Sequence, residues 1–283
     1  MSKFIPPGLG WHRDLPDLRD YSPAHPEVQA LLQTVKRPRG PRAARPARVD
    51  WREYLPPVED QQGLNASAAH ACLGLLQYFE RRALGKIIDP SRLFLYQMTR
   101  QLMKATGDSG AGLRTTQQAM IRFGIPPECH WTYEPARLDR EPEAHLFSYA
   151  HETQSLRYFR LDPRGTSAAQ TLDNVKTFLA AGFPSIFGFP VCSSLSQDPD
   201  IPFPTVFDYC RGGQVVIAIG YDDARTIRST RGALLIRNSW GIGWGDGGYG
   251  WLPVDYVKEQ LAVDFWTFLK PQWLESGEFD PIR

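Results

Sequence analysis

The sequence predicts an α+β fold in which a helical part precedes a β-rich part, and three observations lead there. Residues 66–80 (Ala-Ser-Ala-Ala-His-Ala-Cys-Leu-Gly-Leu-Leu-Gln-Tyr-Phe-Glu) are small or apolar at most positions, the composition of a helix buried on most faces. Two more helical stretches are expected at about 92–104 and 113–123, the second stopped by Gly124. Beyond residue 184 the pattern changes to runs of strand length with β-branched or aromatic content, at 185–191, 214–220, 232–238 and 248–252.

The first 48 residues differ from the rest. Residues 8–21 read as extended, because Pro and Asp interrupt any helical period, and their aromatic and leucine side chains suggest a segment lying against the domain. A short helix is expected at 26–35. Residues 36–48 (Lys-Arg-Pro-Arg-Gly-Pro-Arg-Ala-Ala-Arg-Pro-Ala-Arg) carry six positive charges among Pro and Gly, which disfavours a packed element and indicates a solvated linker. The main domain then spans 49–270, with a helical lobe at about 60–135 and a β lobe at about 150–262 that begins with a helix near 172–181. Residues 271–283 form a C-terminal tail.

Composition narrows the function. The chain has 283 residues, 42% of them hydrophobic and 22% charged, with a formal net charge of +1, enough for a large core in one domain or two packed lobes. Nothing in that balance directs the whole chain to nucleic acid, and no stretch approaches the roughly 18 apolar residues of a membrane span. The N-terminus lacks the apolar run of a secretion signal, so a cytoplasmic location is expected. The four cysteines, Cys72, Cys129, Cys192 and Cys210, show no C-x-x-C spacing and are expected as reduced thiols. Cys129 and His130 form an isolated pair without two further ligands nearby, so neither a metal nor a cofactor is expected.

Several separated motifs carry a more specific signal. Residues 237–250 (Arg-Asn-Ser-Trp-Gly-Ile-Gly-Trp-Gly-Asp-Gly-Gly-Tyr-Gly) resemble the asparagine-bearing hairpin of papain-like cysteine peptidases. Residues 49–52 (Val-Asp-Trp-Arg) look like the start of that family's mature domain, and 57–61 (Pro-Val-Glu-Asp-Gln) like the segment ending in its oxyanion-hole glutamine. Residues 91–96, 108–112, 124–133 and 212–223 follow in the order of bacterial members, so the resemblance covers roughly 49–258. It implies a helical lobe and an antiparallel, barrel-like β lobe with a cleft between them.

The same resemblance assigns site residues and shows where this chain departs. Six residues after Gln61, at the nucleophile position, stands Ser67 rather than cysteine; at the base position stands Gln214 rather than histidine. Asn238 is the orienting asparagine and Gln61 the oxyanion donor. Gly110, Ala111, Gly112, Gly213 and Trp240 match the substrate-binding walls. Asn65 and Ala66 precede Ser67 where the family commonly has Gly and then Ser or Ala; Asn tolerates left-handed backbone, which would preserve the turn. The leader is shorter and less helical than the inhibitory propeptide of many relatives and is not expected to act as a zymogen lock.

Hydrolysis by this constellation needs an activated nucleophile, a base that returns its proton to the leaving amine, and an oxyanion site. A serine hydroxyl is negligibly ionised at neutral pH, and a carboxamide accepts no proton there. Gln214 is expected to hydrogen-bond both Ser67 and Asn238 in an inert cluster. His70, one turn beyond Ser67, is expected as a buried, hydrogen-bonded core residue, and Cys72 as a packed thiol. The expected function is a catalytically inactive homologue that binds a peptide segment or partner protein in the cleft. The alternatives are a cysteine endopeptidase whose nucleophile was deliberately replaced by serine, which leaves Gln214 unexplained, and a serine-dependent hydrolase with an unrecognised base.

Overall fold

The computed structural model describes residues 4–35 and 44–282, with the side chains of 150–152 excepted. The first part of the basic linker, 36–43, therefore lies outside the described residues. Its last part is anchored: Arg45 pairs with Asp173 at 2.6 Å, and Arg48 already opens a strand.

In chain order the regular elements are β1 (Trp11–His12), α1 (Pro26–Gln33), β2 (Arg48–Asp50), α2 (Ser67–Leu84), α3 (Arg92–Met103), β3 (Ala111–Gly112) and α4 (Leu113–Phe123). There follow β4 (Arg157–Arg160), α5 (Ala168–Ala180), β5 (Ser185–Cys192), β6 (Cys210–Ile227), β7 (Thr230–Arg237), β8 (Tyr249–Pro253), α6 (Asp255–Lys258), β9 (Val263–Leu269) and α7 (Pro271–Leu274). The three expected long helices and four expected strands are all present. The sheet also contains β9, which the sequence reading did not single out, so it extends past residue 262.

Local chemistry explains the boundaries. The hydroxyls of Ser91 and Ser167 cap α3 and α5 by accepting from the amides of Phe94 and Gln170, each at 3.2 Å. Gly85 ends α2 in the left-handed conformation. Every residue of α2 from Ser67 to Glu80 is buried, as the near-continuous apolar composition requires.

Seven strands form one sheet in the order β4-β9-β5-β6-β7-β8, with β2 pairing on β6. All these pairs are antiparallel. Helix α2 packs on β6 and β5, so its N-terminal turn faces the middle of the sheet. The residues from 271 are packed too: Trp273 is buried and stacks on Phe79 of α2, with ring centroids 4.7 Å apart. Among the described residues, no helix is long and apolar enough to cross a membrane.

Candidate functional site: a carboxamide cluster under an occupied cleft

Three chain segments meet where α2 begins. Ser67 is the first helical residue; Gln214 lies on β6, which packs against α2; Asn238 directly follows β7. The turn before α2 is tied to this group, because the Gln61 amide donates to the Ser239 carbonyl at 2.8 Å. The structure thus brings together Gln61, Ser67, Gln214 and Asn238, all buried.

Gln214 is the hub. Its Nε2 lies 2.9 Å from Gln61 Oε1, 2.8 Å from Asn238 Oδ1 and 3.2 Å from Ser239 Oγ. Two N–H groups face three acceptors, so one N–H is shared between two of them. Ser239 Oγ donates in turn to Gln61 Oε1 at 2.6 Å. The sequence reading missed Ser239; it stood inside the quoted motif between two assigned residues but received no role.

Two expectations about this cluster need correction. Gln214 bonds Asn238 but not Ser67: the Ser67 hydroxyl accepts instead from the Val215 backbone amide at 3.3 Å. In an extended strand the Gln214 side chain and the next backbone amide leave at different points, and the carboxamide is drawn toward Gln61 and Asn238. Nor does Asn65 take the left-handed conformation; Gln62 does, with φ 53°. Asn65 works through its side chain, with Nδ2 donating to the Asp108 carbonyl at 2.9 Å while its own amide donates to the Asp108 carboxylate. Tyr96 completes this brace by donating to Asp108 at 2.6 Å and accepting from the Gly110 amide at 2.8 Å.

His70 points elsewhere. Its ring meets Tyr133 edge to face, and Nδ1 lies 3.7 Å from Glu59 Oε2. Burial would raise the Glu59 pKa, but His70 and Arg92 outweigh it and hold the carboxyl down at about 2. Arg92 also pairs with Glu128 and Asp89, so His70 sits buried beside a structural ion network at α3, and contrary to expectation neither of its ring nitrogens has a hydrogen-bond partner among the described residues. The Cys72 thiol is fully buried, as a packed side chain.

The cleft above the cluster is filled by the chain's own leader. Gln61 Nε2 donates to the Gly8 carbonyl at 3.2 Å, and the Leu9 amide donates to Asn65 Oδ1 at 2.8 Å. The Ala111 amide donates to the Gly10 carbonyl at 2.8 Å, and β1 continues that pairing in parallel, Trp11 opposite Ala111 and His12 opposite Gly112. On the other wall Gly10 bridges to Gly213. One extended segment therefore pairs with the helical part and the sheet at once, lying against the domain as expected and in the cleft between them.

Glycine makes that fit possible. A Cβ on Gly110, whose φ is +74°, would stand 2.2 Å from the Gly10 carbonyl oxygen. A Cβ on Gly188 of β5 would stand 1.9 Å from the Trp11 ring, which also lies against Gly213. Further toward the N-terminus, Phe4 packs on Trp240 with centroids 5.9 Å apart, and Arg211 donates to the Phe4 carbonyl at 2.9 Å. Gly110, Ala111, Gly112, Gly213 and Trp240 thus all face the leader.

An ion cluster fastens the other end of the segment. Arg114 binds Asp14 at 3.0 Å and Asp20 at 2.7 Å, and buried Arg160 donates to the Asp14 carbonyl at 2.9 Å. Asp264 takes the Trp11 indole N–H at 3.3 Å and pairs with Arg160 at 3.1 Å. Burial pushes the Asp264 carboxyl up to about 7, against the pull of Arg160.

Comparison with known proteins follows this geometry. No protein-family model matches the chain. It is 33% identical over 200 residues to an uncharacterized peptidase C1-like protein of Acanthamoeba polyphaga mimivirus, a match covering 68% of this chain and 62% of that relative's length. Its structure is similar to that of xylellain, a cysteine protease from Xylella fastidiosa, with TM-score 0.74 and 30% identity over 93% of this chain and 96% of that one. Digestive procathepsin L 3 of Tenebrio molitor larval midgut shares the fold at TM-score 0.58 and 17% identity, over 86% of this chain and 78% of that one. With the helical part, the antiparallel sheet and that level of likeness, the chain belongs to the papain-like cysteine peptidase family.

Proposed function

We propose that the protein is a catalytically inactive member of this family whose cleft binds extended polypeptide, its own leader being the resident occupant. The observation that carries the reading is the carboxamide of Gln214, hydrogen-bonded to Gln61 and Asn238 beside Ser67. No side chain among Gln61, Ser67, Gln214, Asn238 and Ser239 takes up a proton at neutral pH, so none abstracts one from the Ser67 hydroxyl. Gln61 Nε2, the assigned oxyanion donor, is engaged by the Gly8 and Leu64 carbonyls. Losing members of a catalytic unit costs on the order of a million-fold in turnover. His70 does not supply the missing base, since its ring is directed to Glu59 and Tyr133.

Peptide binding is supported by how the leader is held. Backbone groups of Gly8, Leu9 and Gly10 meet Gln61, Asn65 and Ala111, the mode in which main-chain pairing supplies affinity and flanking pockets supply selectivity.

The test uses Ser67→Cys, alone and with Gln214→His, each in a Gly188→Ala background that removes the seat of Trp11, with unfolded protein as substrate. The single change is expected to leave no cleavage and the pair to recover part of it. Cleavage by Ser67→Cys alone at an ordinary papain-like rate would sink the pseudoenzyme reading and favour a deliberately replaced nucleophile. Binding is tested by passing a digest of whole-cell protein over immobilised Gly188→Ala protein. A sequence-related set of retained peptides without new termini is expected, and retention of nothing above the wild-type level rejects the binding claim.

A further inference from the structure

We infer that Cys192 and Cys210 are a redox-modification site, forming a reversible disulfide across the mouth of the β5–β6 hairpin by exchange with a small-molecule disulfide of the glutathione class. Both thiols are free in the structure, and they are direct cross-strand partners in the antiparallel ladder. The Ser193 amide donates to the Tyr209 carbonyl at 2.9 Å on the flank of this pair. A bond at that place marks Cys192 and Cys210 as a non-hydrogen-bonded pair, the narrow kind with Cα atoms about 4.5 Å apart. That spacing lies at the short end of what a disulfide accommodates.

The two thiols differ in the way such chemistry requires. Cys210 is exposed and accessible, with Sγ 3.3 Å from the Gly212 carbonyl. Cys192 is buried, and burial, with Cys210 and Asp208 close by, pushes its thiol up to about 11. Cys210 is therefore the attacking group and Cys192 the resolving one. In the first step the Cys210 thiolate attacks one sulfur of oxidised glutathione and expels one glutathione thiolate. In the second the Cys192 thiolate attacks the Cys210 sulfur of the mixed disulfide and expels the other. Two protein thiols become one disulfide, one oxidised glutathione becomes two reduced ones, and the two protein protons end on them.

The location adds consequence. The ladder shifts register between Val191 and Cys192, which leaves Arg211 as the extra residue on β6. Arg211 is the side chain that reaches the Phe4 carbonyl of the leader and, at 3.1 Å, the Ser193 carbonyl. A bond between the two sulfurs would close the hairpin directly beside this contact.

The experiment equilibrates the intact chain with oxidised glutathione, blocks remaining thiols by alkylation after denaturation, and cleaves before Asp198, Asp200 and Asp208. These cuts leave the two cysteines on separate fragments. The expected result is a pair of fragments joined by a bond that dithiothreitol breaks, with Cys72 still alkylated. Cys192→Ser is expected to trap glutathione on Cys210, an adduct the wild type does not accumulate. Persistent glutathione on wild-type Cys210 with Cys192 alkylated would overturn the inference. So would a bond from Cys210 to Cys129 of a second copy.

Discussion

The availability of one lone pair decides the chemistry at residue scale: an imidazole has a nitrogen lone pair that accepts a proton at neutral pH, whereas the carboxamide of Gln214 has none. A glutamine at the position the resemblance gives to the base was legible in the sequence, because the motif spacing says which position to inspect. The destination of the carboxamide was not legible, since spacing carries no information about whether an amide turns toward Ser67 or toward Gln61. Asn65 is a similar case, where a backbone role was expected and a side-chain brace to Asp108 was found. A prediction belongs here. Gly188→Ala places a methyl where the Trp11 ring lies, at a backbone position without positive φ. Trp11 should leave its seat, and the Leu9 and Ala111 amides should exchange hydrogen at least about tenfold faster, corresponding to about 1.4 kcal/mol of lost seating. Unchanged exchange at both would mean that the leader is not held by this packing.

At the scale of elements, the leader shows what periodicity leaves out. Segments rich in Gly, Pro and Asp declare that they are not helices, but no repeat says which surface they meet. Their partners here are glycines on three other segments, 110–112, β5 and β6, a complementarity visible only in three dimensions. Strand β9 escaped notice for a related reason: Asp264, a residue depleted in strands and here at φ 68°, interrupts its start. That aspartate gives a pH prediction. Its carboxyl is pushed up to about 7 in the fold, so the folded chain binds more protons than the unfolded one between the ordinary carboxylate range and about 7. Its contribution to stability is therefore greatest at low pH and is lost as pH rises through that window. Asp264→Asn should flatten the fall in melting temperature between about pH 5 and 7 relative to wild type. A slope identical to wild type would assign the titration to another group.

For the whole molecule, the order of the two parts was readable because the helical and strand patterns occupy different halves of the chain. The packing of the C-terminal residues was not, since a short segment after residue 270 shows no pattern long enough to classify. The structure seats Trp273 against Phe79, with Lys270 and the Trp273 indole both bound to Glu80 at 3.2 Å. Trp273→Ala should lower the unfolding free energy by about 3–5 kcal/mol, the usual cost of emptying an aromatic site in a core. Chemical denaturation measures it, and a loss below about 1 kcal/mol would show that the segment is dispensable to the fold.

On the peptide-binding reading proposed above, the leader is covalently joined to the cleft it fills, so any peptide arriving from solution would compete with a neighbour that never diffuses away. Short tethers hold such a neighbour at an effective concentration on the order of millimolar. A free peptide at about 10 μM must then bind roughly 100-fold more tightly than the leader merely to occupy half the molecules. On that reading, weak and incidental ligands would be screened out by this arithmetic alone, without any charge or steric gate. The same arithmetic means that anything loosening Phe4, Trp11 or Asp14 raises the apparent affinity for every peptide by one common factor, while the ranking among peptides stays unchanged.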